Sequence, residues 1–228
     1  MATQNASKWG YARVTNQTSH AAARGASTGQ AVTNPSTDIS PAFAYQAVSG
    51  GRGLLYSIYR VYYYFDTSGI TGTVTTASVK VEGHTGSTGR AILVPSTAFS
   101  GDGSTNLAGG EFGNISFNTN YNSSINPWST SGTNTFTLNS TALSDIQNNN
   151  YFICAILQYD NDYSNVDIGG RGGTINFGVA FSTTAYLDYV ASASGPTNLS
   201  SWDGVAKASI SSLNAVSLSN ISEINGVT

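Results

Sequence analysis

The stretch GLLYSIYRVYYYFD, residues 53 to 66, determines the fold class predicted for this protein. It is dense in β-branched and aromatic residues and alternates with a period of two, which is typical of a β-strand. The alternation predicts that Tyr59, Val61, Tyr63 and Phe65 face a core. The residues between them then form the opposite face of the strand.

That opposite face carries Arg60, Tyr62 and Tyr64, which are predicted to point outward. Aromatic rings on a sheet stack on sugar rings or on a protein partner, because tyrosine offers a large contact area at a low entropy cost. We therefore predict a ligand or partner surface at these three residues. The alternative is that a second sheet or a loop covers this face.

Further runs of strand type follow on both sides of this stretch, separated by loops rich in Gly, Asn and Ser. They are WGYARV (9–14), VTTASVKVEG (74–83), AILVP (91–95), FGNISF (112–117), NTFTLN (134–139), YFICAILQY (151–159), TINFGVAFS (174–182) and AYLDYV (185–190). STALSDIQN (140–148) is predicted to form one or two helical turns. Many short strands without crossover helices indicate an all-β, antiparallel sandwich or barrel.

Two pairs of segments resemble a known family. YYFDTSGI (63–70) followed by VTTASVKV (74–81), and NTFTLNSTALSDI (134–146) followed by YFICAIL (151–157), are similar to the DNRLRE-like β-sandwich family, which is related to certain carbohydrate-binding modules. The resemblance covers about residues 52 to 190. It implies a jelly-roll-like sandwich of a kind found in bacterial surface proteins and in structural proteins of tailed bacteriophages.

We predict four segments along the chain. Residues 1–40 form an N-terminal arm or edge strand, 41–190 the β-sandwich, 191–201 a linker and 202–228 a C-terminal docking segment. The linker assignment rests on its composition, ASASGPTNLSS, in which Gly and Pro interrupt small polar residues.

Composition excludes several classes of function. Only 9% of the 228 residues are charged, the net charge is −3, and the nine Lys and Arg are scattered, so no basic stripe is available for nucleic acid. The chain has one cysteine, which excludes an internal disulfide. No apolar run approaches the roughly 18 residues needed to span a bilayer, and no signal peptide is evident. We therefore expect synthesis in a cytoplasm, with no membrane span.

The sequence offers no convincing catalytic group, so we predict that the protein is not an enzyme and needs no cofactor. The two histidines, His20 and His84, do not neighbour a nucleophile elbow, and no pair of acids stands out for glycoside hydrolysis. Cys154 lies in a continuous apolar run and is predicted to be an inert, buried thiol.

One loop is a candidate metal site. DNDYSNVD (160–167) places Asp160, Asp162 and Asp167 at spacings that suit a hard cation, so a structural calcium ion is predicted there. It is not an EF-hand, because the glycine and glutamate of that loop are missing. The alternative is a solvated turn, in which Asp and Asn are common.

The C-terminal segment contains a short repeat. ISSLNAV (210–216) and ISEINGV (221–227) repeat each other eleven residues apart, and two such units are too few to bury their own apolar residues. We predict docking or oligomerisation through the segment's apolar residues, either as a helix or as extended strands added to another sheet. These are Trp202, Val205, Ile210, Leu213, Val216, Leu218, Ile221, Ile224 and Val227. The segment also resembles Ile-Asn-Gly-Val repeats at the ends of phage structural proteins.

These features together favour a non-enzymatic bacteriophage virion protein, made in the host cytoplasm: a head fibre, a capsid decoration or a tail-associated protein. Its expected partners are capsid or tail components and further copies of itself, with a trimer favoured. A host-surface glycan is a further candidate partner. The alternative is a carbohydrate-binding adhesion module of a bacterial cell-surface protein.

Overall fold

The computed structural model describes residues 1–37, 39–50, 53–87, 89–122, 126–167, 173–179 and 185–192, together with four two-residue strands near the C-terminus. Within these residues the protein is mostly antiparallel β-structure with few helices, which confirms the all-β prediction. The strands are β1 (Ala2–Asn5), β2 (Lys8–Gln17), β3 (Gln30–Thr33), β4 (Ile39–Gly50), β5 (Gly53–Asp66), β6 (Thr73–Gly86), β7 (Arg90–Pro95), β8 (Asn126–Pro127), β9 (Thr133–Thr137), β10 (Tyr151–Gln158), β11 (Gly173–Val179), β12 (Tyr186–Ser192), β13 (Ser201–Trp202), β14 (Val205–Ala206), β15 (Ser212–Leu213) and β16 (Val216–Ser217).

Two α-helices and three short helical turns complete these elements. The helices are α1 (His20–Arg24) and α2 (Ser140–Asn148), and the turns span Phe99–Gly101, Gly109–Glu111 and Tyr159–Tyr163. Helix α2 begins where predicted, because the side chain of Asn139 accepts a hydrogen bond from the Ala142 amide and so caps the first turn.

Strands β1 to β12 form one hydrogen-bonded network in which every pair is antiparallel. The main order is β1-β12-β6-β11-β4-β5-β10-β7-β8, with β2 against β5, β3 against β2 and β9 against β6. The long strand β5 is central: β2 pairs along one edge, while β4 and then β10 pair along the other. Strand β11 joins the β4 side to β6 and so links the two halves of a β-sandwich-like body.

The main core lies between these two halves. Val61, Tyr63 and Phe65 of β5 share one buried cluster with Val79 and Val81 of β6. This confirms the predicted inward positions of Val61, Tyr63 and Phe65. The alternating pattern works because each strand presents every second residue to the same face.

A second core covers the other face of β5. Ile58 and Tyr62 pack there with Ala23 of α1 and with Phe99 and Phe112 from the long connection between β7 and β8. The apolar groups on this face are therefore shielded by a helix and loops rather than by another sheet.

Two predicted boundaries differ from the structure. FGNISF (112–117) is not a strand; apart from one isolated bridge between Ile115 and Ser96 it forms turns, and its first residue, Phe112, fills the second core. Residues 1–40 were predicted as an arm or an edge strand; they are not an appended arm, because β1 is an edge strand paired with β12, β2 pairs with β5 from Lys8 to Gln17, and Trp9 is buried in the main core. The N-terminal segment is part of the body.

None of the helices in the described part of the chain is long and apolar enough to cross a bilayer.

Candidate functional site

A buried ion pair joins β5 to the turn that follows β10. The Arg60 Nε and Nη2 atoms donate to the two carboxylate oxygens of Asp162 at 2.8 and 2.7 Å, and both side chains are 0% exposed. The Arg60 Nη1 and Nη2 atoms also donate to the backbone carbonyls of Phe112 and Arg24, at 3.0 and 3.1 Å. One guanidinium group therefore fastens three separate segments to the face of β5.

Neighbouring groups extend this network. The Arg24 guanidinium donates to the backbone carbonyls of Asp162 and Tyr163 and lies 3.6 Å from the ring centre of Phe117. The Tyr62 hydroxyl donates to the Phe112 carbonyl at 2.8 Å. Helix α1 and the loops that cover this face of β5 are here called the covering layer. The contacts satisfy polar groups that would otherwise be buried beneath this layer without a hydrogen-bond partner.

The electrostatics of the network favour a charged guanidinium on Arg60. Burial by itself would lower the pKa of the Arg60 guanidinium, but the charge of Asp162 and the hydrogen bonds to it outweigh burial and raise that pKa. Burial also raises the pKa of the Tyr62 hydroxyl above its ordinary value, which keeps it neutral. The hydrogen bonds of Arg60 therefore hold the covering segments in place.

The predicted surface at Arg60, Tyr62 and Tyr64 is therefore wrong as an exposed partner surface. Arg60 and Tyr62 are both 0% exposed under the covering layer, and Tyr64 is half-buried. The alternation was assigned correctly, but the outward face of the strand is the inward face of a second core. The alternative considered from the sequence, a covering loop, is what the structure shows.

The three carboxylates of the predicted calcium site have protein partners in the structure. Asp162 is bound by Arg60, and Asp160 forms an ion pair with Arg90, whose Nε donates to its carboxylate at 2.8 Å. Asp167 accepts hydrogen bonds from two tyrosine hydroxyls in a different part of the fold.

The hydroxyls that bind Asp167 are those of Tyr45 and Tyr56, at 3.0 and 3.1 Å. The three carboxylates thus have separate partners, and a search of the described residues finds no group of three acidic, His or Cys side chains able to share a metal ion. The spacing that suggested a cation instead serves three protein contacts.

Two buried ionisable side chains, those of His20 and Glu111, have structural surroundings. His20 is buried against the rings of Tyr45 and Tyr56, with centroids 5.4 and 6.3 Å away. Glu111 is buried, and its carboxylate accepts hydrogen bonds from the Ser100 and Ala108 amides. Its position is that of a cap for the turn Gly109–Glu111.

Two neighbouring cavities lie between the chain after β7 and the start of β10, and we call them together the groove. The larger has a volume of about 400 Å³ and the smaller about 120 Å³, and Ser96 and Tyr121 line both. Residues Pro95, Thr97, Gly113, Asn114, Ile115 and Ser116 line the larger part, and Asp145, Asn149, Tyr151, Phe152 and Ile153 line the smaller.

Hydrogen bonds join the segments that line the groove. The Ser96 hydroxyl donates to the Asn114 carbonyl at 2.6 Å, and the Ser116 amide donates to the Pro95 carbonyl at 3.0 Å. On the opposite side the Tyr121 hydroxyl donates to the Asp145 carboxylate. These bonds fix the polar groups before any ligand arrives, which reduces the entropy lost on binding.

An aromatic ring stands at one end of this groove. Tyr151 is half-buried, and its ring stacks on that of Tyr64 with centroids 6.3 Å apart and planes 25° apart. Together with nearby amide and hydroxyl groups, such a ring suits a neutral, polar ligand with one apolar face. Sequence analysis missed this groove, because its walls come from segments separated along the chain.

The described part of the C-terminal segment consists of two small hairpins, each paired only within itself among the described residues. Strand β13 pairs with β14, with Trp202 opposite Val205, and β15 pairs with β16, with Leu213 opposite Val216. Each hairpin is a separate two-stranded sheet among the described residues. The hairpin register repeats after eleven residues.

The structure describes only part of the predicted docking segment. Trp202, Val205, Leu213 and Val216 lie in the four short strands. The other predicted docking residues lie outside the described residues; these are Ile210, Leu218, Ile221, Ile224 and Val227. The predicted linker, 191–201, is shorter at both ends, because Ala191 belongs to β12 and Ser201 to β13.

Comparison with known proteins gives no relative from which a role can be transferred: no protein-family model matches the chain, and no curated protein matches it.

Proposed function

We propose that this chain is a non-enzymatic structural protein of a bacteriophage virion, a head fibre, capsid decoration or tail-associated protein. In this proposal the body is a jelly-roll-like sandwich displayed on the particle, and the C-terminal segment attaches it. The observation that carries the proposal is the pair of terminal hairpins outside the sheet of the body.

The small size of the hairpins supports a role in attaching the chain to a partner. An isolated two-stranded hairpin is at best marginally stable in water, and these have only two paired residues in each strand. Each also carries an apolar pair, Trp202 with Val205 and Leu213 with Val216. A segment of this kind is stabilised when another surface covers its apolar face.

The features of the body favour a structural role on the particle surface over a catalytic role. Both faces of β5 are covered, and the charged groups beneath the covering layer are paired with each other or with backbone carbonyls. Its surface relies on hydroxyl and amide groups, since only 9% of the residues are charged. Capsid or tail components are the proposed attachment partners, and assembly follows synthesis in the host cytoplasm.

Quantitative mass spectrometry of purified particles, from a virus whose genome encodes this chain, tests the proposal. The chain is expected in gradient-purified particles at a fixed copy number relative to the major capsid protein. A known non-structural protein of the same virus serves as the control for contamination. Absence of the chain from intact particles, with abundant free protein in the lysate, would refute the proposed role.

The groove favours a second candidate, a carbohydrate-binding module of a bacterial cell-surface protein or a glycan-reading site on the virion. Sugar rings combine apolar faces with hydroxyl groups, which matches an aromatic ring beside fixed hydrogen-bonding groups. Here Tyr151 supplies the ring, and Asn114, Asn149 and Thr97 supply polar groups. The proposed ligand class is a neutral glycan, since among the described lining residues the polar groups are mostly amides and hydroxyls, with one carboxylate, that of Asp145.

A glycan array followed by titration separates this candidate from a purely structural role. Tyr151→Ala should weaken binding of any glycan that the native chain retains by about two- to tenfold, the range expected for one aromatic contact. Tyr186→Ala is the matched control, because Tyr186 is also half-buried but lies on β12, away from the groove. Equal binding by both variants, or binding of no glycan by the native chain, would remove the groove as a sugar site.

A further inference from the structure

The two cavities of the groove differ in charge. The polar side chains that line the larger cavity are hydroxyls and one amide, with no charged side chain among its described lining residues, and they are the main basis of the neutral ligand class proposed above. The smaller cavity carries the carboxylate of Asp145. The charge that lines the groove is therefore concentrated at one end.

The carboxylate of Asp145 has no cationic partner in the described part of the chain. Its Oδ2 atom accepts a hydrogen bond from the Tyr121 hydroxyl, and no described group donates to its Oδ1 atom. By contrast, three other aspartates each form an ion pair with an arginine or a lysine; these are Asp160, Asp162 and Asp188. Asp145 is only half-buried and lines a cavity, so its second oxygen is available to a ligand.

The end of helix α2 adds to this negative charge. The C-terminus of a helix carries a partial negative charge and ordinarily favours lysine or arginine in its last turn. The last turn of α2 contains no basic residue and includes Asp145 instead. Asn149, which directly follows the helix, lines the same cavity. A cation bound in this cavity would therefore compensate both the carboxylate and the helix end.

Aromatic rings supply the rest of the cavity wall. Tyr121, Tyr151 and Phe152 line it, and the rings of Tyr121 and Phe152 pack together with centroids 4.9 Å apart. The face of an aromatic ring attracts a cation, most strongly where water is excluded. The volume of about 120 Å³ is well below the roughly 300 Å³ at which cavities begin to hold whole small molecules. The cavity therefore suits one substituent of a larger ligand.

We infer that the smaller cavity binds an ammonium group, with Asp145 as its counter-ion. The preferred ligand of the groove is then a glycan that is neutral along the larger cavity and carries one free amine at the smaller one. An ammonium group forms charge-assisted hydrogen bonds with the carboxylate and is also attracted by the ring faces. This inference rests on the glycan-binding candidate of the proposed function.

Calorimetric titration of the full chain with two probes tests the inference. The probes are a short glucosamine oligomer and the N-acetylglucosamine oligomer of the same length, which differ only in whether the amine is free. At mildly acidic pH, where the amine is charged, the native chain should bind the glucosamine oligomer about five- to tenfold more tightly, the difference between a charged and a neutral hydrogen bond. Added salt should reduce this preference.

The variant Asp145→Asn separates charge from shape. It has nearly the same size and still offers an oxygen to the Tyr121 hydroxyl, so its thermal midpoint should stay close to the native value. Without the charge it should bind both oligomers equally. The control Asp160→Asn makes the same change in net charge at a residue that lines neither cavity, and it should keep the native preference.

The outcomes distinguish failure of this inference from failure of the glycan site. Equal binding of the two oligomers by the native chain, or a preference that survives Asp145→Asn, would overturn the ammonium subsite and retain the groove as a glycan site. Binding of neither oligomer by a chain that binds other glycans on the array would do the same. Binding of no glycan at all would overturn both.

Discussion

Removing Asp162 should strongly destabilise the protein. Asp162→Ala leaves the Arg60 guanidinium at 0% exposure with its positive charge and with backbone carbonyls as its remaining partners. Breaking a buried ion pair from one side costs about 3 to 5 kcal/mol, because the remaining charge has lost its compensation. That is a large part of the roughly 5 to 15 kcal/mol by which a domain is usually stable.

A matched control lies two residues away. Asp160 also pairs with an arginine, Arg90, but the side chains of this pair are 32% and 52% exposed. Exposed pairs of this kind contribute about 0 to 1 kcal/mol, because water already solvates both charges. Asp160→Ala makes the same chemical change in the same turn and should cost no more than that.

Urea denaturation followed by tryptophan fluorescence measures both variants. The midpoint should fall much further for Asp162→Ala than for Asp160→Ala, with little change in the slope. If Asp162→Ala is too unstable to purify, Arg60→Met/Asp162→Leu provides a second test, since replacing both charges by apolar groups should restore much of the loss. A loss below about 1 kcal/mol for Asp162→Ala, or a double variant no more stable than the single one, would refute the reasoning.

Three further predictions concern the body. Burial raises the pKa of the Cys154 thiol, so Ellman's reagent at mildly alkaline pH should react only after unfolding; rapid labelling of the folded chain would contradict this. A hydrogen bond from Lys80 holds the pKa of Asp188 below its ordinary value, so the stability it contributes is complete above about pH 4 and is lost as pH falls through the folded pKa. Asp188→Asn should therefore flatten the acid limb of the unfolding free energy, and an unchanged limb would exclude this role. Gly178→Ala would place a methyl group on the His84 carbonyl oxygen, so a thermal melt should show a lower midpoint, and an unchanged midpoint would argue against this close approach.

The local sequence pattern was sufficient to predict the strands that it names here and one side of the core. The alternation in residues 53 to 66 assigned Val61, Tyr63 and Phe65 to the main core, and the apolar run around Cys154 predicted a buried strand. Helix α2 was also predictable, because its cap and its period lie within one short stretch. All of these depend on residues that are close in the chain.

The candidate sites were less predictable because their partners are distant in the chain. Arg60 pairs with Asp162, and Tyr151 stacks on Tyr64. Both contacts join residues far apart in the chain, so the local periodicity of the sequence does not predict them. The spacing of the aspartates in the loop 160–167 predicted a bound cation. In the structure their carboxylates contact separate arginine and tyrosine side chains. The resemblance to DNRLRE-like sandwiches concerned the body and carried no information about these contacts.

The sequence by itself determined that this chain forms alternating strands with one apolar face and ends in a repeated, weakly charged segment, because periodicity and composition are local properties. Only the tertiary structure decided what covers the other face of β5, where its charges find partners, and that the described part of the C-terminal segment forms two short hairpins. Those outcomes depend on hydrogen bonding and packing between residues far apart in the chain, and a one-dimensional pattern does not specify which distant groups meet.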